Sequence, residues 1–114
     1  MIMYEIKPKR GEVWYADFSP IKGSEQGGLR PCIIVSNDIG NAKSPVVIAV
    51  PITTATKVNL PTHYSIGYHK GIKGIALCEQ VRTIDKTRFK NKVTTFNDLM
   101  MSELDKCLKV ALGL

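Results

Sequence analysis

Lys22-Gly-Ser-Glu-Gln-Gly-Gly-Leu-Arg-Pro-Cys-Ile-Ile-Val-Ser-Asn37 carries a polar, glycine-bearing loop straight into an apolar run, with Arg30 at the junction. Glycines let a backbone take positive φ and leave room for a close approach. The run from Cys32 to Val35 reads as a buried strand. Arg30 is therefore expected at the lip of a rigid sheet. A planar, permanently charged guanidinium in such a place is suited to holding a phosphate.

Upstream, Lys9–Phe18 has the aromatic and β-branched content of a first strand, and Ser19–Gly28 is the loop joining it to a second strand over Arg30–Asn37. Downstream, Asp38–Ser44 reads as a turn and Pro45–Thr54 as a third strand. Pro51 lacks an amide donor and predicts an edge or a bulge there. Ala55–Pro61 reads as a loop, Thr62–Tyr68 as a strand and His69–Gly74 as a hairpin turn. Ile75–Ile84 reads as one long strand bent around Glu79 and Gln80. A short helical turn over Asp85–Phe89 and a last strand over Lys92–Phe96 follow. Asn97 then suits an N-cap, Asp98 the positive end of a helix, and Gly113 its stop. Between them, Met100, Leu104, Cys107, Leu108 and Ala111 share one face of a helix over Leu99–Leu112.

Many short strands and one C-terminal helix predict a mainly β protein with α: a small, strongly bent antiparallel barrel with a helix packed on it. A parallel βαβ sheet is disfavoured because no helix separates the early strands. The 114 residues suit a single domain spanning 1–114, with enough chain for a core without staples. Three cysteines with no C-x-x-C spacing disfavour zinc ribbons and disulfide frameworks. No apolar run approaches the roughly 20 residues of a membrane helix, and Met1–Lys7 has no signal-peptide core, so a cytoplasmic protein without membrane contact is expected. A net charge of +6 favours polyanionic partners, nucleic acid among them. Arg82, Lys86, Arg88, Lys90 and Lys92 cluster late in the chain, and read most simply as a solvated face.

The chain lacks a P-loop, a G-x-G-x-x-G turn after a strand, H-E-x-x-H and G-x-S-x-G. Its acidic residues are scattered, so neither metal nor cofactor is implied. What remains is a phosphate-directed site at strand ends. If the second and third strands are antiparallel neighbours, the start of one faces the end of the other. Arg30 and Thr53 then lie side by side, with Glu25 and Gln26 hanging over the same edge. An arginine, a hydroxyl and a carboxylate around one point suit metal-free RNA cleavage, in which a ribose 2′-OH attacks its own phosphate.

Arg10-Gly-Glu-Val-Trp-Tyr-Ala-Asp-Phe18, Gly23-Ser-Glu-Gln-Gly-Gly-Leu-Arg-Pro31, Pro51-Ile-Thr53 and Glu79-Gln-Val-Arg-Thr-Ile-Asp85 closely resemble the MazF/PemK-type toxin endoribonucleases of bacterial type II toxin–antitoxin systems. The resemblance runs from about Lys9 to Leu114, and Asn37-Asp-Ile-Gly-Asn41 with Leu60-Pro-Thr-His63 resembles the branch from Gram-positive bacteria. It implies a homodimer of SH3-like barrels that cuts single-stranded RNA without metal. The implied products are a 2′,3′-cyclic phosphate and a 5′-hydroxyl, and the implied sites resemble U-A-C-A-U. It also implies an antitoxin whose acidic segment covers the same surface. By resemblance the catalytic arginine and threonine fall on Arg30 and Thr53, and the loop glutamate on Glu25. The implied RNA contacts are Phe18, Ser19, Gln26, Asn37, Leu60, His63, Glu79 and Gln80. Arginine keeps its proton in proteins, so Arg30 suits transition-state charge, not proton removal. The base stays open, with Glu25 its first candidate.

Two other classes fit parts of the chain. A protein-inhibiting toxin resembling the CcdB gyrase poisons would depend on the C-terminal residues and not on Arg30. A non-catalytic RNA-binding barrel would bind all RNA alike, sensitively to salt, without turnover.

Overall fold

The computed structural model describes residues 6–114 apart from 21, 24 and 26. The strands among them are β1 (Glu12–Asp17), β2 (Leu29–Ile34), β3 (Val46–Thr53), β4 (His63–His69), β5 (Ile72–Leu77), β6 (Arg82–Asp85) and β7 (Phe89–Thr95). Helices α1 (Asp38–Lys43) and α2 (Asp98–Leu112) and two 3-10 turns, Cys78–Gln80 and Lys86–Arg88, complete the fold among the described residues, the second turn where a short helical turn is expected. The strands form one curled antiparallel sheet in the order β4-β5-β3-β2-β1-β7, with β6 also paired to β3. This is the expected mainly β architecture, a strongly bent antiparallel sheet with a C-terminal helix, here curled into a half-barrel.

Alternation along the strands builds two cores, one on each side of the sheet. Val13, Ile33, Val50 and Ile52 point to one side, where Leu104 of α2 joins them. Ala16, Cys32, Ile34, Val47 and Ala49 point to the other, closed by Phe18, Ile84 and Phe89. A strand buried on both faces reads as an unbroken apolar run, and β3 does so from Val47 to Thr53, with only Ile48 exposed. At the open seam, His69 of β4 reaches β7. Its Nε2 lies 3.3 Å from the Thr95 carbonyl, and its ring meets Phe96 edge-on at 5.7 Å.

Several sequence expectations give way here. Asp38–Ser44 holds a helix, because the Asn37 side chain caps the Gly40 amide and Asp38 occupies the first turn. Pro51 is neither at an edge nor a bulge: it pairs with Cys32 inside the central strand. On its other side β3 pairs with β6 through Val46–Ala49 and with β5 through Ile52 and Thr53. Pro51 falls in the gap between these partners, where a missing amide proton breaks no ladder. For the same reason Ile75–Ile84 is not one bent strand. A 3-10 turn, Cys78–Gln80, separates β5 from β6 and carries the chain from one stretch of β3 to the other. At the C-terminus, the expected helix is realised. Asn97 accepts from the Met100 amide at 2.8 Å, and Gly113 ends α2 in the left-handed conformation.

Candidate active site

The glycine loop is pinched at its base, where the Phe18 amide donates to the Gly28 carbonyl at 2.9 Å. Arg30 follows on β2, opposite Ala16 of β1. Its Nε donates to the Gly27 carbonyl at 2.7 Å, which ties the half-buried side chain back to the loop. Thr53 ends β3 and is 2% exposed, and its Oγ1 accepts from the Ala55 amide at 3.1 Å. Among the described residues its own O–H has no acceptor and can donate to a ligand. The β2–β3 pairing reads Ile34 to Ala49, Ile33 to Val50 and Cys32 to Pro51. The pairing ends at Cys32 and Pro51; continued by two residues, the same register would set Arg30 of β2 opposite Thr53 of β3.

Beside this junction lies a groove of about 550 Å³ lined by Phe18, Glu25, Pro51, Glu79, Gln80 and Arg82 among others. Two distant stretches of chain, the glycine loop and the 3-10 turn, therefore meet over β3. Arg30 itself lines a neighbouring cleft with Tyr15, Leu29, Thr54 and Lys73. Glu25 is exposed, and its Oε1 accepts from the Lys22 amide at 2.8 Å. Arg82 lies over the Phe18 ring, 5.4 Å from its centre. Among the described residues no carboxylate pairs with its guanidinium. Its recruitment to the groove is not visible in sequence, where it reads as one of a run of surface cations. The Gln-Val-Arg spacing after the turn is the signal that could have found it.

Glu79 is bound on both oxygens: Thr62 Oγ1 donates to Oε1 at 2.8 Å, and His63 Nε2 lies 2.9 Å from Oε2. Burial pushes its carboxyl up, but the bonds from His63, its own amide and Thr62 more than offset this, so it titrates below its ordinary range. The His63 ring is held between Glu79 and the Val58 carbonyl, 2.7 Å from Nδ1.

The other candidates are dispersed. Phe18 is 1% exposed, so its ring is a core residue with Arg82 on it, not an open stacking platform. Ser19 is exposed, its amide bonded to Asp17 and its carbonyl to Arg88. Leu60 is exposed on the loop after β3. Asn37 caps α1 beyond the far end of β2, roughly 20 Å of strand from Arg30, and the fold does not bring it to the groove. Gln26 lies outside the described residues.

Residues 9–112 match the family described as PemK-like, MazF-like toxin of type II toxin–antitoxin systems. The chain is 46% identical over 112 residues to endoribonuclease EndoA of Bacillus subtilis, covering 93% of this chain and 95% of that protein. It superposes on MazF from Deinococcus radiodurans with a TM-score of 0.86 at 26% identity, over 96% of this chain and 100% of that one. A mycobacterial endoribonuclease solved with its cognate antitoxin gives a TM-score of 0.81 at 28% identity, over 94% and 96% of the two chains. A family match over nearly the whole chain, joined to the same curled sheet and helix, makes this protein a member of the PemK-like, MazF-like toxin family.

Proposed function

We propose that this chain is a single-domain, cytoplasmic toxin endoribonuclease that cuts single-stranded RNA without metal, within sites resembling U-A-C-A-U. The 2′-oxygen attacks the adjacent phosphorus as its proton leaves to a base. Negative charge builds on the non-bridging oxygens. The bond to the 5′-oxygen then breaks, and that oxygen takes up a proton, giving a 2′,3′-cyclic phosphate and a 5′-hydroxyl. Arg30 neutralises the developing charge through its guanidinium, and the Thr53 hydroxyl donates a hydrogen bond to the same group. Glu25, on the groove wall, takes the 2′-OH proton. Gln80 and Leu60 contact bases, which a single strand can splay out and a duplex cannot.

The observation that supports this reading is the antiparallel β2–β3 pairing through Cys32 and Pro51, two residues from Arg30 and Thr53, with Pro51 lining the groove. The protein works as a homodimer, and an antitoxin with an acidic segment neutralises it by covering the groove. The net charge of +6 suits both RNA and that segment. The likeness to MazF and to an endoribonuclease solved with its cognate antitoxin supports this partner. The test is cleavage of single-stranded RNA by Arg30→Ala and Thr53→Val. Each is expected to lose about 100-fold or more in rate while melting as the parent protein does. Retained cleavage in both would reject these roles.

A further inference from the structure

Residues 54–61 leave the sheet immediately after Thr53 and are exposed throughout. The loop includes Lys57 and apolar Val58 and Leu60, which are 74% and 42% exposed. With its large apolar side chains exposed, the loop returns to the sheet through a dense set of polar contacts. The His63 side chain is only 7% exposed, with Nδ1 2.7 Å from the Val58 carbonyl and Nε2 2.9 Å from Glu79 Oε2. The remaining Glu79 oxygen accepts from Thr62, and the Cys78 amide donates to the Thr62 carbonyl at 3.0 Å. A rigid ring therefore spans from the middle of the loop to the turn Cys78–Gln80, and the carboxylate it meets has both oxygens engaged.

We propose that His63 is a positioning residue. With Glu79 and Thr62 it clasps the loop of residues 54–61 to the turn that carries Gln80, and so fixes the two walls between which RNA lies. Glu79 then serves RNA binding through the loop and not by accepting from a base. The substrate in this statement rests on the function proposed above; the clasp itself does not.

The clasp is tested first without RNA, by amide hydrogen exchange. His63→Ala is expected to speed exchange of the amides that anchor the loop, those of Ala55, residue 63 and Cys78, which donate to Thr53 Oγ1, the Leu60 carbonyl and the Thr62 carbonyl, about tenfold or more, with the other strand amides unchanged. Unchanged loop exchange would overturn the proposal. If His63→Ala fails to fold, Thr62→Val, which removes only one hydroxyl bond, is read in the same way. With RNA, His63→Ala is expected to raise KM about fivefold to tenfold and to leave kcat within about twofold. His63→Gln, which keeps an N–H near Glu79, should recover part of the loss. Because His63 and Glu79 act as one unit, the double variant His63→Ala/Glu79→Ala should be no worse than either single variant. Additive losses, with Glu79→Ala the larger, would mean that Glu79 reads RNA directly and would overturn the proposal. Failure of the unaltered protein to cut RNA would sink the function reading, while the exchange experiment would still decide the clasp.

Discussion

Gly74 lies against the backbone of Thr53. A Cβ built on Gly74 would stand 2.9 Å from the Thr53 carbonyl carbon, and nearer still to its oxygen, at a φ of +123°. Only a glycine allows both that conformation and that approach. Gly74 belongs to β5, whose partner residues Ile75 and Ala76 pair with Thr53 and Ile52. The end of β3 is thus seated on a residue without a side chain.

Gly74→Ala should therefore push the Thr53 backbone out of place. A cost of about 3 kcal/mol in folding stability is expected, the sum of a strained φ and a backbone collision. Urea unfolding measures it. Cleavage should fall further than stability alone explains, because Thr53 moves with its strand.

Arg82 offers a separate test of the groove. Its guanidinium lies on Phe18 and has no carboxylate partner among the described residues. Arg82→Ala should weaken RNA binding about tenfold and reduce the slope of log K against log salt by about 1, with little change in melting temperature. An unchanged salt slope would return Arg82 to the role of a surface cation.

Much of this frame was legible in the sequence. The strand cores at Cys32–Ile34 and Val46–Thr53 and the capped helix from Asn97 to Gly113 are written locally, in alternation and in end-capping residues. The expected side-by-side placement of Arg30 and Thr53 rests on continuing one antiparallel pairing past Cys32 and Pro51. Helix α1 was hidden by its shortness and by Gly40. The break at Cys78–Gln80 was hidden because β3 takes β5 and β6 as successive partners, which no local pattern encodes. The same long-range pairing makes Pro51 harmless in a central strand. Asn37 shares a motif with the loop chemistry in sequence, but in space β2 separates it from Arg30. Gly74 looked like turn punctuation, although the hairpin turns at Lys70 and Gly71 and Gly74 serves Thr53.

Stability in acid should track Glu12. Burial raises its carboxyl, but hydrogen bonds from Trp14 and the Lys9 amide, with Lys92 beside it, more than offset this and hold it below its ordinary value. A carboxyl depressed by folding stabilises the protein above its unfolded-state pKa, near 4.3, and that contribution is lost as pH falls through the folded value. The urea midpoint should therefore drop below about pH 4.5. Glu12→Gln should lower it at pH 7 and flatten the acid limb. An acid limb as steep in Glu12→Gln as in the parent would place the linkage elsewhere.

Leu104 and Asn97 separate packing from capping in α2. Leu104 is fully buried against the β-sheet core, so Leu104→Ala should cost about 3 kcal/mol. Asn97→Ala, which removes the bond to the Met100 amide, should cost about 1 kcal/mol. Urea denaturation of both variants gives the comparison, and equal losses would show that α2 is held by its end and not by its face.

In the proposed reaction, Arg30 and Thr53 direct transesterification on RNA without a metal ion. The most direct measurement is to incubate a long single-stranded RNA with the protein in excess EDTA and analyse both ends of each fragment. Cuts are expected at a short recurring sequence, each leaving a 2′,3′-cyclic phosphate and a 5′-hydroxyl, and none with Arg30→Ala. Cleavage that stops in EDTA, leaves a 3′-hydroxyl, or persists in Arg30→Ala would contradict that reaction.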